Sequence, residues 1–416
     1  MKVYKSQKVY KYQLESTLVM LLCVDVAYIN TIFHDLPNIQ FVGRLIMMVY
    51  LFLHCVLHCV YNRHHISKTL KFIVFFVLWI LFITYLRGGE TFEALKIFSA
   101  PLLMCIYVEQ KCSSTQVYGC ISVWSDILLG FVLIDFVTQV IFPNGMYKDS
   151  MYSLNWFLGY KTSRLAFSMP LCVFSSITSM KQKGKLTLKT WSCYFLSVIT
   201  LLFSQATAAS ITILIECILI VLVCFNRKKQ FSERLWEKVL NLKFVLIIYS
   251  AISVLVVFVQ NSPQIQYFIV NVFHKDSTLT TRTYIWNLCM ASLEKHPFTG
   301  LGYLSSVSYQ NLTNNMYATS AHNMSLSILL SGGLIGLAVY ITIMIAAWKG
   351  FNENATVEKK ISSIGVIVLL IVGLTSSSMV FSACAFIFFE LMNILNLTYH
   401  DGQLSNYKRK VNPKEV

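Results

Sequence analysis

The sequence predicts an all-α, polytopic integral membrane protein of about 12 transmembrane helices, with one large outer loop between the ninth and tenth. Three observations carry that expectation. Hydrophobic residues make up 56% of the chain and charged ones only 13%, against roughly 25% charged in an ordinary soluble domain. Apolar runs of bilayer-crossing length recur from one end of the chain to the other. The basic residues are distributed between alternate connections as the positive-inside rule requires.

Taken in order, the runs fall at residues 14–33, 41–61, 70–86, 92–108, 117–142 and 165–180, then at 188–203, 210–225, 244–259, 324–348, 361–376 and 381–397. An even number of crossings returns both termini to one side. With a cytoplasmic N-terminus, 25 of the 34 Lys and Arg residues fall in cytoplasmic tails and connections. The basic N-terminus, 1–12, lacks a small-residue cleavage site, so the first span is expected to be retained. Residues 1–416 are expected to form a single membrane domain.

The net charge of +15 is then chiefly an orientation signal that also favours contact with anionic membrane lipid. The basic clusters at 181–189 and 226–229 flank spans and lack the interleaved aromatics of a nucleic-acid surface, so no nucleic-acid partner is expected. Twelve cysteines, scattered mainly through the spans, imply no disulfide framework. His54 and His58 stand at i, i+4 on the second span, yet without neighbouring carboxylates they read as packed or interfacial side chains. No metal or cofactor is expected.

Short outer connections lie at 87–90, at 143–164 with its tyrosines and Trp156, and at 204–207. Residues 260–323 form the one long polar excursion, where chemistry is expected to concentrate. Within it, Thr280 and Thr281 before Arg282 look like a helix start, and Pro297 stops that helix near His296. Trp286, Met290 and Leu293 share a stripe that would lie on the membrane surface or on the bundle. Arg282 sits one turn earlier on the same face. Gly300 and Gly302 permit positive φ or close backbone approach in the following turn.

Ser320 can cap the next helix, which would put His322 in its first turn. There the helix dipole and partial desolvation would both lower the imidazole pKa. A neutral imidazole can accept a proton; the alternative is an interfacial His that only hydrogen-bonds. Arg164 and Arg282 lie on the outer side against the positive-inside bias, and bidentate donation to phosphate would account for them. A snorkelling or salt-bridged arginine is the other explanation.

Several signatures are missing: a nucleotide-sugar Asp-X-Asp, a phosphate-binding glycine loop, His-Glu-X-X-His and Gly-X-Ser-X-Gly. Few outer carboxylates are present to build a two-acid glycosidase site. Outer arginines, a neutral His and aromatic side chains together suit a substrate with a diphosphate, a sugar chain and a lipid.

Arg282-Thr-Tyr-Ile-Trp286, Pro297-Phe-Thr-Gly300-Leu-Gly302-Tyr303 and Ala321-His322-Asn323 leading into Leu330-Ser-Gly-Gly333-Leu-Ile-Gly336 resemble the O-antigen polymerase and O-antigen ligase superfamily. The resemblance implies metal-independent, inverting glycosyl transfer from undecaprenyl diphosphate at the outer face of the membrane. It implies His322 and Arg282 as catalytic residues. Arg164, Arg282, Trp286, Gly300, Gly302, Tyr303 and Asn323 are implied at the diphosphate and glycan. Donor and acceptor would be undecaprenyl-diphosphate-linked oligosaccharides, with a chain-length regulator protein as a candidate partner. Residues 163–167 and 204–207 depart from the arginine-bearing patterns of relatives. Polymerisation of repeat units of an O-antigen or capsule is the favoured activity, with ligation to a lipid A core as the alternative. A lipid-linked oligosaccharide flippase is the reading from another class, disfavoured by sparse ionisable residues in the spans and the lack of an internal repeat.

Overall fold

The computed structural model describes residues 2–62, 66–111, 116–148, 154–225, 242–258, 282–315, 318–351, 356–374, 376, 382 and 386–395. Helices dominate: α1 (Lys2–Cys23), α2 (Ala27–Ile32), α3 (Leu36–Asn62), α4 (Lys68–Leu86), α5 (Thr91–Lys111), α6 (Gln116–Ile141), α7 (Leu165–Lys183), α8 (Leu188–Phe203) and α9 (Thr207–Phe225). They continue with α10 (Leu242–Phe258), α11 (Arg282–Glu294), α12 (Ser306–Thr313), α13 (Met324–Phe351), α14 (Val357–Gly373) and α15 (Phe386–Leu395). Among the described residues, one two-stranded hairpin, β1 (Asn155–Trp156) and β2 (Gly159–Tyr160), lies between α6 and α7.

Among the described residues, six helices are long and apolar enough to cross a membrane: α4, α5, α6, α9, and the greater parts of α3 and α13. The other expected runs lie on shorter or more polar helices. Outward-facing Ile46, Phe52, Phe75, Leu78, Phe82 and Ile218 are exposed, the pattern of a bundle whose perimeter meets lipid rather than water. Inside, α6 packs on α7, α13 on α4, and α14 on α7 and α9. Helix ends are set by local chemistry. Ser67, Thr187 and Thr356 cap α4, α8 and α14 by accepting N–H bonds from Leu70, Thr190 and Lys359. Gly184, in the left-handed region, ends α7 just after Lys181 and Lys183.

Two expected spans are interrupted, and both breaks help to build the site. The first run does not continue to residue 33, because α1 stops at Cys23 and the chain turns before α2. The carbonyls left open at that helix end are satisfied from α3. Gln40 Nε2 donates to Leu21 and Val24 at 3.0 and 3.1 Å, and Arg44 Nε donates to Leu22 at 2.8 Å.

The second break is in α13 at Gly333, whose φ of 64° and ψ of −164° no helix contains. Residues 297–303 run into this gap. Leu301 and Gly302 N–H groups donate to the carbonyls of Leu330 and Ser331 at 2.6 and 3.1 Å, while Leu334 and Ile335 donate to Pro297 and Phe298 at 2.9 and 3.2 Å. Four backbone groups freed by the kink are thereby paired, as a break within a membrane bundle requires. Trp79 of α4 donates to Gly332 at 2.9 Å and fixes the break against the neighbouring helix.

Glycine is demanded here by space as well as by φ. A Cβ on Gly333 would lie 2.3 Å from the Phe298 carbonyl, and one on Gly302 would lie 2.6 Å from Thr84 Cα. Thr84 Oγ1 then accepts the N–H of Tyr303 at 2.8 Å. The turn read from the sequence as glycine-permissive is in fact a backbone plug in a broken helix.

Candidate functional site

Helix α11 begins at Arg282 as expected and ends at Glu294; its expected cap at Thr281 lies outside the described residues, as does the portion 260–281 of the long excursion. The stripe of α11 turns onto the protein. Trp286, Cys289 and Leu293 pack with Tyr309, Ala321, Leu326 and Leu330 in a small second core, with Met290 against it. The indole of Trp286 is 2% exposed and its Nε1 donates to the Ala321 carbonyl at 2.7 Å. Trp286, expected at the glycan, is therefore a clamp on the residue before His322 and has no face open to a sugar.

His322 lies just outside helix α13 rather than in its first turn. Asn323, fully buried, is the residue that caps α13, its Oδ1 accepting from Leu326 N–H at 3.0 Å. Asn displaces Ser320 from the expected capping role because its side chain reaches the third N–H of the helix from the adjacent position. Asn323 Nδ2 also donates to Leu374 at 3.3 Å, tying the cap to the end of α14. Its expected contact with the diphosphate or glycan is replaced by these two backbone bonds.

His322 itself adopts φ of 50°, a left-handed conformation that His tolerates better than most non-glycine residues and that is often retained at functional sites. Ser320 Oγ accepts its N–H at 3.3 Å and stands 3.4 Å from Nδ1. Burial first, and the positive charge of Arg282 second, bring the imidazole pKa down to about 4. The ring is neutral at physiological pH; desolvation lowers its pKa as the sequence suggested, and Arg282 adds a cause the sequence did not show. Arg282 is half-buried, and burial lowers its own pKa too. Among the described residues, no carboxylate pairs with it.

Arg164 has a different fate from Arg282. It is fully buried, with Nε donating to Asp135 Oδ2 at 2.6 Å and the guanidinium 4.7 Å from the Trp156 ring. Asp135 Oδ1 also accepts from Leu158 N–H at 2.8 Å, and Trp156 Nε1 donates to Phe142 at 2.7 Å. This knot holds the β1–β2 hairpin onto α6. Arg164 was expected at the diphosphate; the structure makes it a buried ion pair that supports the connection, because Asp135 sits within reach on the last turns of α6.

Gly300 and Gly302 are buried in the plug described above. Tyr303, at its end, is half-buried and lines a cavity of about 620 Å³ bordered also by Arg44, Lys96, Tyr309, Ser320 and Ser331. Burial, with Glu90 and Glu93 close by, raises the Tyr303 phenol to about 12 and keeps it a hydrogen-bond donor. Sequence reasoning passed over Arg44, which lies within α3. Its signal was there to be read, since an arginine inside a span is costly unless it is held.

The described parts of the site, α11, the 297–303 plug and the head of α13, thus converge from one continuous stretch of chain. Residues 193–341 match the O-antigen ligase family. The match runs from within α8 to beyond the break in α13, so it takes in Arg282, the plug, His322 and Gly333. No curated protein matches the chain. The chain is a multi-pass, all-α membrane protein with a region similar to the O-antigen ligase family. Arg164, Arg44 and Lys96 lie outside the matched residues. Among the described residues, no three His, Cys, Asp or Glu side chains cluster; the side chains of His54 and His58 lie outside them.

Proposed function

We propose that this protein is a glycosyltransferase of the outer membrane-face half of the bundle, which polymerises oligosaccharide repeat units carried on undecaprenyl diphosphate. The observation that carries the proposal is the pairing of a half-buried Arg282, without a carboxylate partner among the described residues, with a neutral His322. A guanidinium kept from water calls for an anion, and its planar fork fits phosphate oxygens.

In the proposed step, a hydroxyl oxygen of the acceptor sugar attacks the anomeric carbon of the donor. The bond from that carbon to the diphosphate oxygen breaks, and its electron pair leaves with undecaprenyl diphosphate. His322 takes the hydroxyl proton, and Arg282 stabilises the charge that develops on the leaving diphosphate. An imidazole of pKa near 4 is a weak base on its own. The arriving diphosphate offsets the field of Arg282 and raises that pKa, so the base gains strength as the donor binds. Attack from the side opposite the leaving group inverts the anomeric centre.

Ligation onto a lipid A core is the second reading, supported by the description of the matched family. Both readings share the donor and the two residues; they differ in the acceptor. Deleting the gene and resolving surface glycan by size separates them. A polymerase leaves glycan one repeat long, whereas a ligase leaves none on its surface anchor. Glycan of normal length after deletion would remove both.

A further inference from the structure

The cavity beside His322 carries a charge pattern that Arg282 does not share. Four charged side chains line it: Asp25 after α1, Arg44 on α3, and Glu93 and Lys96 on α5. Two are cationic and two anionic, so the lining is formally balanced. Arg44 is held rigidly, with Nε on the Leu22 carbonyl and Nη1 on the Lys96 carbonyl and Ser99 Oγ at 2.8 and 3.1 Å. Among the described residues, its Nη2 makes no hydrogen bond. Lys96 Nζ bonds Glu93 at 2.7 Å and lies 4.6 Å from the Phe92 ring centre, which leaves that carboxylate with unused acceptor positions.

Tyr303 adds an aromatic body with a hydroxyl tip. Ser320 lines the cavity and also stands 3.4 Å from His322 Nδ1, so the cavity reaches the immediate surroundings of the imidazole. At about 620 Å³ it falls within the roughly 300–1,000 Å³ of sites that enclose a small organic ligand.

We propose that this cavity binds the acceptor saccharide and selects one without net negative charge, with Asp25, Arg44, Glu93 and Lys96 reading its hydroxyls. Donors and acceptors of both kinds suit a polyol, in which each hydroxyl gives one bond and accepts others. A diphosphate would meet Asp25 and Glu93 as well as the two cations, and the like charges would cancel its gain. It belongs instead beside Arg282. The proposal rests on the glycosyl-transfer function above and names the acceptor's chemistry.

Two experiments on the full-length protein in lipid nanodiscs test it. Ser306→Cys places a thiol at the exposed rim of the cavity, while the described native cysteines are buried or half-buried. Its modification by a maleimide is followed with and without two probes: the neutral oligosaccharide released from the host's own lipid-linked glycan, and geranyl diphosphate. Protection by the oligosaccharide, at least threefold and without protection by geranyl diphosphate, is expected. The reverse pattern, or protection by neither, overturns the proposal.

In the second experiment, Glu93→Gln with Lys96→Met removes one charge of each sign. The acceptor KM should rise about tenfold, with donor KM within twofold of wild type; a change confined to donor KM overturns the assignment. A host repeat unit found by composition to carry uronate or phosphate overturns the selection for neutral sugar. The protection assay needs no turnover. It therefore reports on the cavity even if His322→Ala retains transfer and the catalytic proposal fails.

Discussion

The indole Nε1 of Trp286 donates to the carbonyl of Ala321 at 2.7 Å, one turn after Arg282 and one residue before His322. A single buried hydrogen bond thus fixes the helix that carries the cation to the segment that carries the imidazole. Trp286→Phe keeps the ring and deletes the bond, leaving a buried carbonyl unpaired at about 1–3 kcal/mol. The variant should insert normally, and its kcat should fall about tenfold or more with little change in donor KM. Wild-type kcat would mean that this bond does not set the geometry.

His322→Ala should abolish glycan extension while the protein still accumulates in the membrane. In the wild type, the base works only when neutral. The profile of kcat/KM should therefore hold on the acid side until pH approaches about 4, and fall below it as the ring protonates. The limb for kcat should lie at higher pH, because bound diphosphate raises the imidazole pKa. Identical limbs for both parameters would argue against an anion beside Arg282.

Arg282→Lys retains charge and loses the planar fork. Transfer should drop by about ten- to a hundredfold in kcat/KM, the equivalent of about 1.4–2.7 kcal/mol. An unimpaired enzyme would make Arg282 a merely structural cation.

Arg164→Ala should act through folding. Removing one member of a buried ion pair leaves the other uncompensated, at about 3–5 kcal/mol, so thermal unfolding in detergent should begin well below the wild-type temperature. Replacing both partners, as Arg164→Met with Asp135→Leu, should recover much of that loss. A raised donor KM with unchanged stability would restore Arg164 to the diphosphate.

Gly333→Ala should prevent assembly of an active enzyme, since its Cβ would lie 2.3 Å from backbone atoms of Phe298. Gly336→Ala is the matched control. There the nearest atom is 3.7 Å away, and the change should be tolerated. Membrane accumulation and transfer activity of the pair give the comparison.

The helices were legible because lipid imposes a simple rule on composition: backbone groups must pair internally, and long apolar runs follow. Runs such as 188–203 coincide with α8 to the residue. The breaks were not legible as breaks. Nothing in residues 324–348 alone reveals that Gly333 leaves the helix, because its missing bonds are supplied by residues 297–303, about thirty positions earlier. Arg164 and Arg282 looked alike as outer arginines. What separates them is Asp135, a partner from another helix that only the packing of α6 against the hairpin brings near. His322 was readable as a neutral ring, and desolvation is its main cause as expected; the contribution of Arg282 was not legible, because only the fold brings that cation near.

The plug in the gap of α13 has a practical consequence for anyone wishing to isolate the catalytic excursion. Four of its backbone hydrogen bonds are with the span itself, and a fifth is with Thr84 on α4. A water-soluble peptide cut from residues 282–323 would lose all five partners, as would a graft onto another membrane scaffold with an unbroken helix in place of α13. The smallest portable unit therefore includes α4 and both halves of α13.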